Sequence, residues 1–212
     1  MTNAQIIAAA RNNLNATADT LWSDSELLLV LWRAGMYLAR ETGCMEQSFT
    51  TVTVTGTSLY TQPGNAIEIV RVTYNGSKLA PLDYREYDSI TPTATTSSGT
   101  PAYYIAYNGM LQLYPCPDDA QAVKIWDKEF PDSPSTSGTI TIPAKYHDIL
   151  IAGVTYEMAP KDLGHPLTVY WEKKWLEGVA SVKSDKKLSK RGDRFARVKT
   201  EEQMLTNEQG VI

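Results

Sequence analysis

Histidine and cysteine are nearly missing from this chain of 212 residues, with two of each. That leaves little for metal or nucleophilic chemistry. His147 and His165 stand in no HExxH and in no His/Cys cluster with zinc spacing. His147, between Tyr146 and Asp148 at a helix start, is expected to face solvent or act in a cap. Cys44 and Cys116 lie too far apart in sequence to make a disulfide framework, and a reducing cytoplasm is the expected compartment. Gly-rich phosphate loops, GxSxG elbows and CxxC pairs are missing as well. Carboxylates are plentiful, but no pattern pairs two of them as a glycosidase would. The expectation is therefore no catalytic residue, no cofactor, no metal and no enzyme. Long apolar runs are also lacking. No stretch approaches the ~18–20 residues that span a bilayer, and the start has neither the basic region nor the long apolar region of a secretory signal.

Acidic and basic residues are both present but unevenly placed. The net charge is −4. From Lys183 to Lys199 there are eight Lys/Arg against Asp185 and Asp193, which makes that stretch +6 and the remainder −10. An acidic body with a basic arm points to a binding role, and the acidic body argues against broad nucleic-acid affinity. Arg191-Gly192-Asp193 spells an adhesion tripeptide but reads as a turn within this arm.

What is there is a clear change of period. Residues 2–14 form a weak, Ala-rich helical segment. A stronger helix opens at Ser23, whose side chain and that of Glu26 can form a capping box. It runs with apolar residues at 27, 28, 31, 34, 38 and 39 to a stop at Gly43. Six successive apolar residues, Leu27–Trp32, cover every side of that helix, so it must be surrounded. Leu29, Val30 and Trp32 are the candidates for contact with a neighbouring subunit.

Near Ser48 the period becomes two. Strands are expected around Phe49–Val54, Ser58–Tyr60, Ala66–Tyr74, Ser77–Leu82, Ala102–Tyr107, Met110–Tyr114 and Ala122–Glu129. Asn75-Gly76 and Asn108-Gly109 are two-residue hairpin turns of the type that needs two positive φ angles. A linker over Asp83–Ser98 holds up to one helical turn. Helix returns at Ile142-Pro143, with Pro143 as the first helical residue. A further helix from Pro166 places Leu167, Trp171, Trp175, Val179 and Val182 in one apolar stripe.

The fold expected is α+β: a helical bundle from residues 1–45 and 141–182, an inserted antiparallel β sandwich or barrel over 46–140, and an extended basic arm over 183–212. Thirty residues so polar cannot bury enough to order alone. The arm has three readings: a solvated tail with no partner, contact with nucleic acid, and docking on an acidic protein surface. The last is favoured over both, with Lys186, Lys187, Lys190, Arg191, Arg194 and Arg197 interleaved with Leu188, Phe195 and Val198, apolar anchors in grooves and charges setting register.

Several segments in order carry a resemblance: Trp22–Leu27 (WSDSEL), Leu59–Pro63 (LYTQP) leading into Ile69–Val72 (IVRV), Gly99–Tyr104 (GTPAYY), Leu111–Pro117 (LQLYPCP) and Ile142–Leu150 (IPAKYHDIL). Together they resemble the head-to-tail adaptor family of tailed bacteriophages, most closely the connector or tail tubular protein A type of short-tailed phages. The resemblance implies a structural virion protein, made in the host cytoplasm and placed at the head–tail interface. It implies a homo-oligomeric ring of twelve copies that binds the portal protein through its C-terminal segment. A downstream tail or nozzle protein would bind below, and genome DNA would pass through the lumen without specific binding. An acidic body suits a wall along which DNA slides. Two other readings stand beside it: a nucleic-acid-binding accessory protein that uses the basic segment, and a carbohydrate-active phage hydrolase that would need a carboxylate-lined cleft in the β insert.

Overall fold

The computed structural model describes residues 1–15, 21–90, 97–135, 138–159 and 167–186. The fold is α+β, with sandwich-like sheets and, among the described residues, no closed barrel. The chain divides into two compact units, Met1–Cys44 with Ser133–Ile212, and Met45–Asp132.

The first unit is helical. α1 (Asn3–Asn13) opens on a capping box: the Gln5 amide donates to Thr2 Oγ1 at 3.2 Å and the Thr2 amide to Gln5 Oε1 at 2.8 Å. α2 (Asp24–Thr42) opens on the expected box between Ser23 and Glu26 and ends at Gly43, whose φ of 57° is the left-handed turn glycine takes without strain. Arg11 ties the two together, reaching the Trp22 carbonyl at 2.7 Å and Asp24 at 2.9 Å. Pro143 stands one step outside the next helix rather than at its first position: its ψ is 136°, and a 3-10 turn (Ala144–Tyr146) precedes α4 (His147–Met158). A further helix, α5, covers 168–186. α1, α2 and α4 pack together, burying Ile6, Leu27, Leu31, Leu38, Leu150 and Met158. The stripe on α5 is buried at Trp175, Val179 and Val182, while Leu167 is exposed.

The second unit holds two four-stranded sheets. The strands are β1 (Glu46–Val52), β2 (Leu59–Thr61), β3 (Ala66–Tyr74), β4 (Ser77–Lys78), β5 (Ala80–Pro81), β6 (Tyr103–Tyr107), β7 (Met110–Tyr114) and β8 (Ala122–Glu129). One sheet runs β1-β8-β3-β4, the other β2-β7-β6-β5. Both hairpin turns have the expected backbone, with φ of 46° and 79° at Asn75-Gly76 and 46° and 72° at Asn108-Gly109. The return strand after Gly76 is not one strand but two. β4 pairs with β3, then the chain crosses to the other sheet, where β5 runs parallel to β6. Pro81, with no amide to donate, suits such an edge. Among the named strands the pairing is thus antiparallel but for this one pair. The linker also holds more helix than one turn, α3 (Tyr84–Ile90).

Between the sheets, Val72, Tyr74, Leu79, Tyr104, Leu111, Leu113, Val123 and Ile125 form the core. β3 reaches it through two register shifts against β8, between Ala66 and Glu68 and between Ile69 and Arg71. The second shift changes the parity of the strand. Ile69 pairs with Asp127 on the inner side, and after the extra residue Val70 it is Val72 and Tyr74 that turn inward while Arg71 turns outward opposite Trp126.

Candidate functional site

The surfaces available to partners come from residues the fold leaves uncovered. In α2 the Leu27–Trp32 block is largely absorbed by its own unit: Leu27, Leu28, Val30 and Leu31 are buried. Val30, 6% exposed, is therefore turned into the unit's own core and is not open to a neighbouring subunit. Leu29 is 44% exposed and Trp32 is half-buried. Leu29 starts an exposed stripe, because Arg33 and Tyr37 follow at steps of four on the same face.

That stripe borders a cavity of about 350 Å³ whose walls include Arg33, Tyr37, Tyr156, Glu172, Trp175 and Leu176. The Tyr37 and Trp175 rings lie 5.8 Å apart, and the Arg40 guanidinium sits 5.7 Å from the Tyr37 ring. Leu176, on α5, is also exposed. The result is an apolar and aromatic surface with basic and acidic groups at its edge, the composition of a protein-binding patch. Arg33, Tyr37 and Leu176 escaped the sequence reading. For Arg33 and Tyr37 the signal was the four-residue spacing from Leu29, visible only once the buried face of α2 is known; Leu176, on α5, carried no such signal.

The basic arm begins within an ordered helix. Lys183 and Lys186 belong to α5. Lys183 Nζ bonds Glu41 Oε2 at 2.7 Å, and this hydrogen bond and charge hold the Glu41 carboxyl below the usual range. The other portal-binding candidates, Lys187, Leu188, Lys190, Arg191, Arg194, Phe195, Arg197 and Val198, lie outside the described residues.

The groups that could have carried chemistry are held in structural roles. His147 is buried, not solvent-facing: its Nε2–H donates to the Ile142 carbonyl at 2.9 Å, pinning the segment that leads into α4. Burial pushes the Cys44 thiol up, away from the thiolate that makes a nucleophile. Tyr74, inside the β unit, is pushed up to about 12 by burial and by its hydrogen bond to the Asp119 carboxylate. Asp127 is buried with neither oxygen hydrogen-bonded, and burial raises its carboxyl. Among the described residues no three His, Cys, Asp or Glu gather as a metal site, and no helix is long and apolar enough to cross a membrane.

Comparison with known proteins decides what these surfaces belong to. A protein-family profile described as SU10 adaptor protein matches residues 1–199, which takes in both units and most of the basic arm. The chain belongs to the SU10 adaptor protein family. It is a phage adaptor protein, a structural component of the virion that associates with other head or tail proteins. The adaptor family is generally not enzymatic. No curated protein matches the chain.

Proposed function

We propose that this adaptor assembles as a ring of twelve copies at the head–tail interface, docks under the portal protein and continues the DNA channel toward the tail. The family match across both units and residues 183–199 of the arm carries this reading. The uncovered stripe of the helical unit supports it from the side of assembly: a monomer gains nothing by leaving Leu29, Tyr37 and Leu176 in water, whereas a neighbouring copy would bury them. In this proposal Leu29 and Trp32 contact the next subunit. Lys186 and Lys187, with Leu188, Lys190, Arg191, Arg194, Phe195, Arg197 and Val198, grip the portal, and a tail or nozzle protein binds the opposite end of the ring.

Electron microscopy of the protein mixed with portal complexes tests the proposal, with rings capping the portal as the expected result. Removing residues 187–212 leaves α5 intact and should give a folded protein that no longer caps the portal. Leu29→Glu should leave the fold intact and block ring closure. Capping by the truncated chain at undiminished affinity would overturn the role of the arm. No ring under any condition would overturn the whole.

A further inference from the structure

The acidic body carries one face of the opposite sign. On the outer side of the β1-β8-β3-β4 sheet, Lys124 stands opposite Thr73, and Thr73 stands opposite Lys78. One pair along, Trp126 stands opposite Arg71. Three cations on three adjacent strands therefore share one face. The register shift after Ile69 is what turns Arg71 outward to join them. By strand geometry their anchor points are about 8–10 Å apart, from ~3.4 Å per residue along a strand and ~4.8 Å between strands.

Among the described residues no carboxylate pairs with Lys78, Arg71 or Lys124. The acidic groups of this face, Glu46 and Glu68, are aligned with Lys128 at the far end, where Lys128 bonds Glu68. Arg71 and Lys124 are instead held by the indole of Trp126, their charged groups 4.8 and 4.9 Å from its centroid. A cation on an aromatic ring keeps its full charge and loses side-chain freedom, which prepares it for an anion.

We propose that this face binds the phosphate backbone of duplex DNA without regard to sequence. Trp126 is engaged by two cations, so it serves as their scaffold and not as a platform for an unstacked base; the face reads charge. Each cation can find its own phosphate, because a duplex presents a charge every ~1.7 Å of its axis. Ser48 and Thr50, exposed on β1 opposite Trp126 and Lys124, add hydroxyl donors of the kind that bond phosphate oxygens. Three contacts make a weak, salt-sensitive hold rather than a clamp. Its placement on the β unit is independent of the arm and of ring assembly.

The test is fluorescence anisotropy of a labelled duplex of mixed sequence with the full chain, across a salt series. Three neutralised phosphates contribute about −2.7 to the slope of log affinity against log salt, or about a 40-fold loss between 50 and 200 mM. The variant Lys78→Gln/Arg71→Gln/Lys124→Gln should lose that part of the slope and bind about tenfold or more weakly at 50 mM salt. The charge-keeping variant Lys78→Arg/Arg71→Lys/Lys124→Arg should bind like the parent, which keeps the test valid if the glutamine variant fails to fold. Replacing Lys187, Lys190, Arg191, Arg194 and Arg197 by Gln removes five of the arm's eight cations and should leave the contribution of the sheet in place. An unchanged slope in the glutamine variant would overturn the proposal. So would tighter binding to single strands than to duplex, or displacement of the duplex by polyglutamate at equal charge, which would mark the face as a seat for an acidic protein.

Discussion

Gly153 of α4 sits against the face of a buried tryptophan, and the contact sets a limit on that helix. A Cβ built there would lie 2.9, 3.0 and 3.2 Å from Cε3, Cζ3 and Cδ2 of Trp175. Carbon atoms prefer about 3.5–4.0 Å, so three ring atoms would be too close at once. The ring is rigid and 7% exposed, with the Tyr37 ring tilted against it at 5.8 Å, so it has little room to retreat. Against this, alanine is favoured over glycine inside a helix by about 1 kcal/mol. Overpacking a filled interior costs about 1–3 kcal/mol. The clash should win, and Gly153→Ala should destabilise the helical unit by up to about 2 kcal/mol, with a midpoint lowered by roughly 2–4 °C per kcal/mol. Urea and thermal unfolding followed by circular dichroism would measure it. In a Trp175→Leu background the same methyl meets open space, so the cost should vanish and the helix preference should show instead. A Gly153→Ala protein more stable than its parent in the presence of Trp175 would refute the packing argument.

Asp127 offers a pH test. Its carboxyl is buried without a hydrogen-bond partner and raised above 3.8 by that burial. A folded value above the unfolded one means that the proton is held more tightly in the fold. Stability is then full below pH ~3.8 and falls as pH rises through the folded value. Asp127→Asn should match the parent at low pH and exceed it by about 1–3 kcal/mol near neutrality in urea titrations; a gap of the same size at all pH values would contradict the assignment. Gly109→Ala should cost about 1–2 kcal/mol by the same measurement, because φ is 72° there and a Cβ meets nothing within 4 Å, so the penalty is backbone strain alone.

Local chemistry made much of this architecture legible. The two Asn-Gly turns each fix a hairpin through two positive φ angles, and β3, β7 and β8 stand where alternation placed them. The Ser23–Glu26 box and Gly43 bracket α2 as caps must. What failed to show was decided by distant partners. Ala80-Pro81 looked like the end of a returning strand, but β6 recruits it in parallel. Val70 gives no local sign that it is the extra residue that sends Arg71 outward. His147 carries a polar ring that sequence places in water or in a cap, yet the Ile142 carbonyl five residues back and the Met1 amino nitrogen satisfy its two ring nitrogens in the interior. The candidate site suffered most. Leu29 could be named as apolar, but Val30 beside it could be separated from it only by knowing which side of α2 the other helices cover.

The pairing of β1 with β8 has a further meaning for how such a chain is put together. β1 is the first strand of the insert and β8 the last, and they run side by side from Glu46↔Lys128, with the Glu129 amide bonded to the Met45 carbonyl. The chain therefore leaves the β unit beside the place where it entered. Once the β unit has folded, its two ends behave as the stem of a tight turn, and the closure entropy charged to the helical unit is that of a few residues and not of the whole insert. An insert joined in this way can lengthen, shrink or be exchanged for another β module while the helical unit folds across the same short gap.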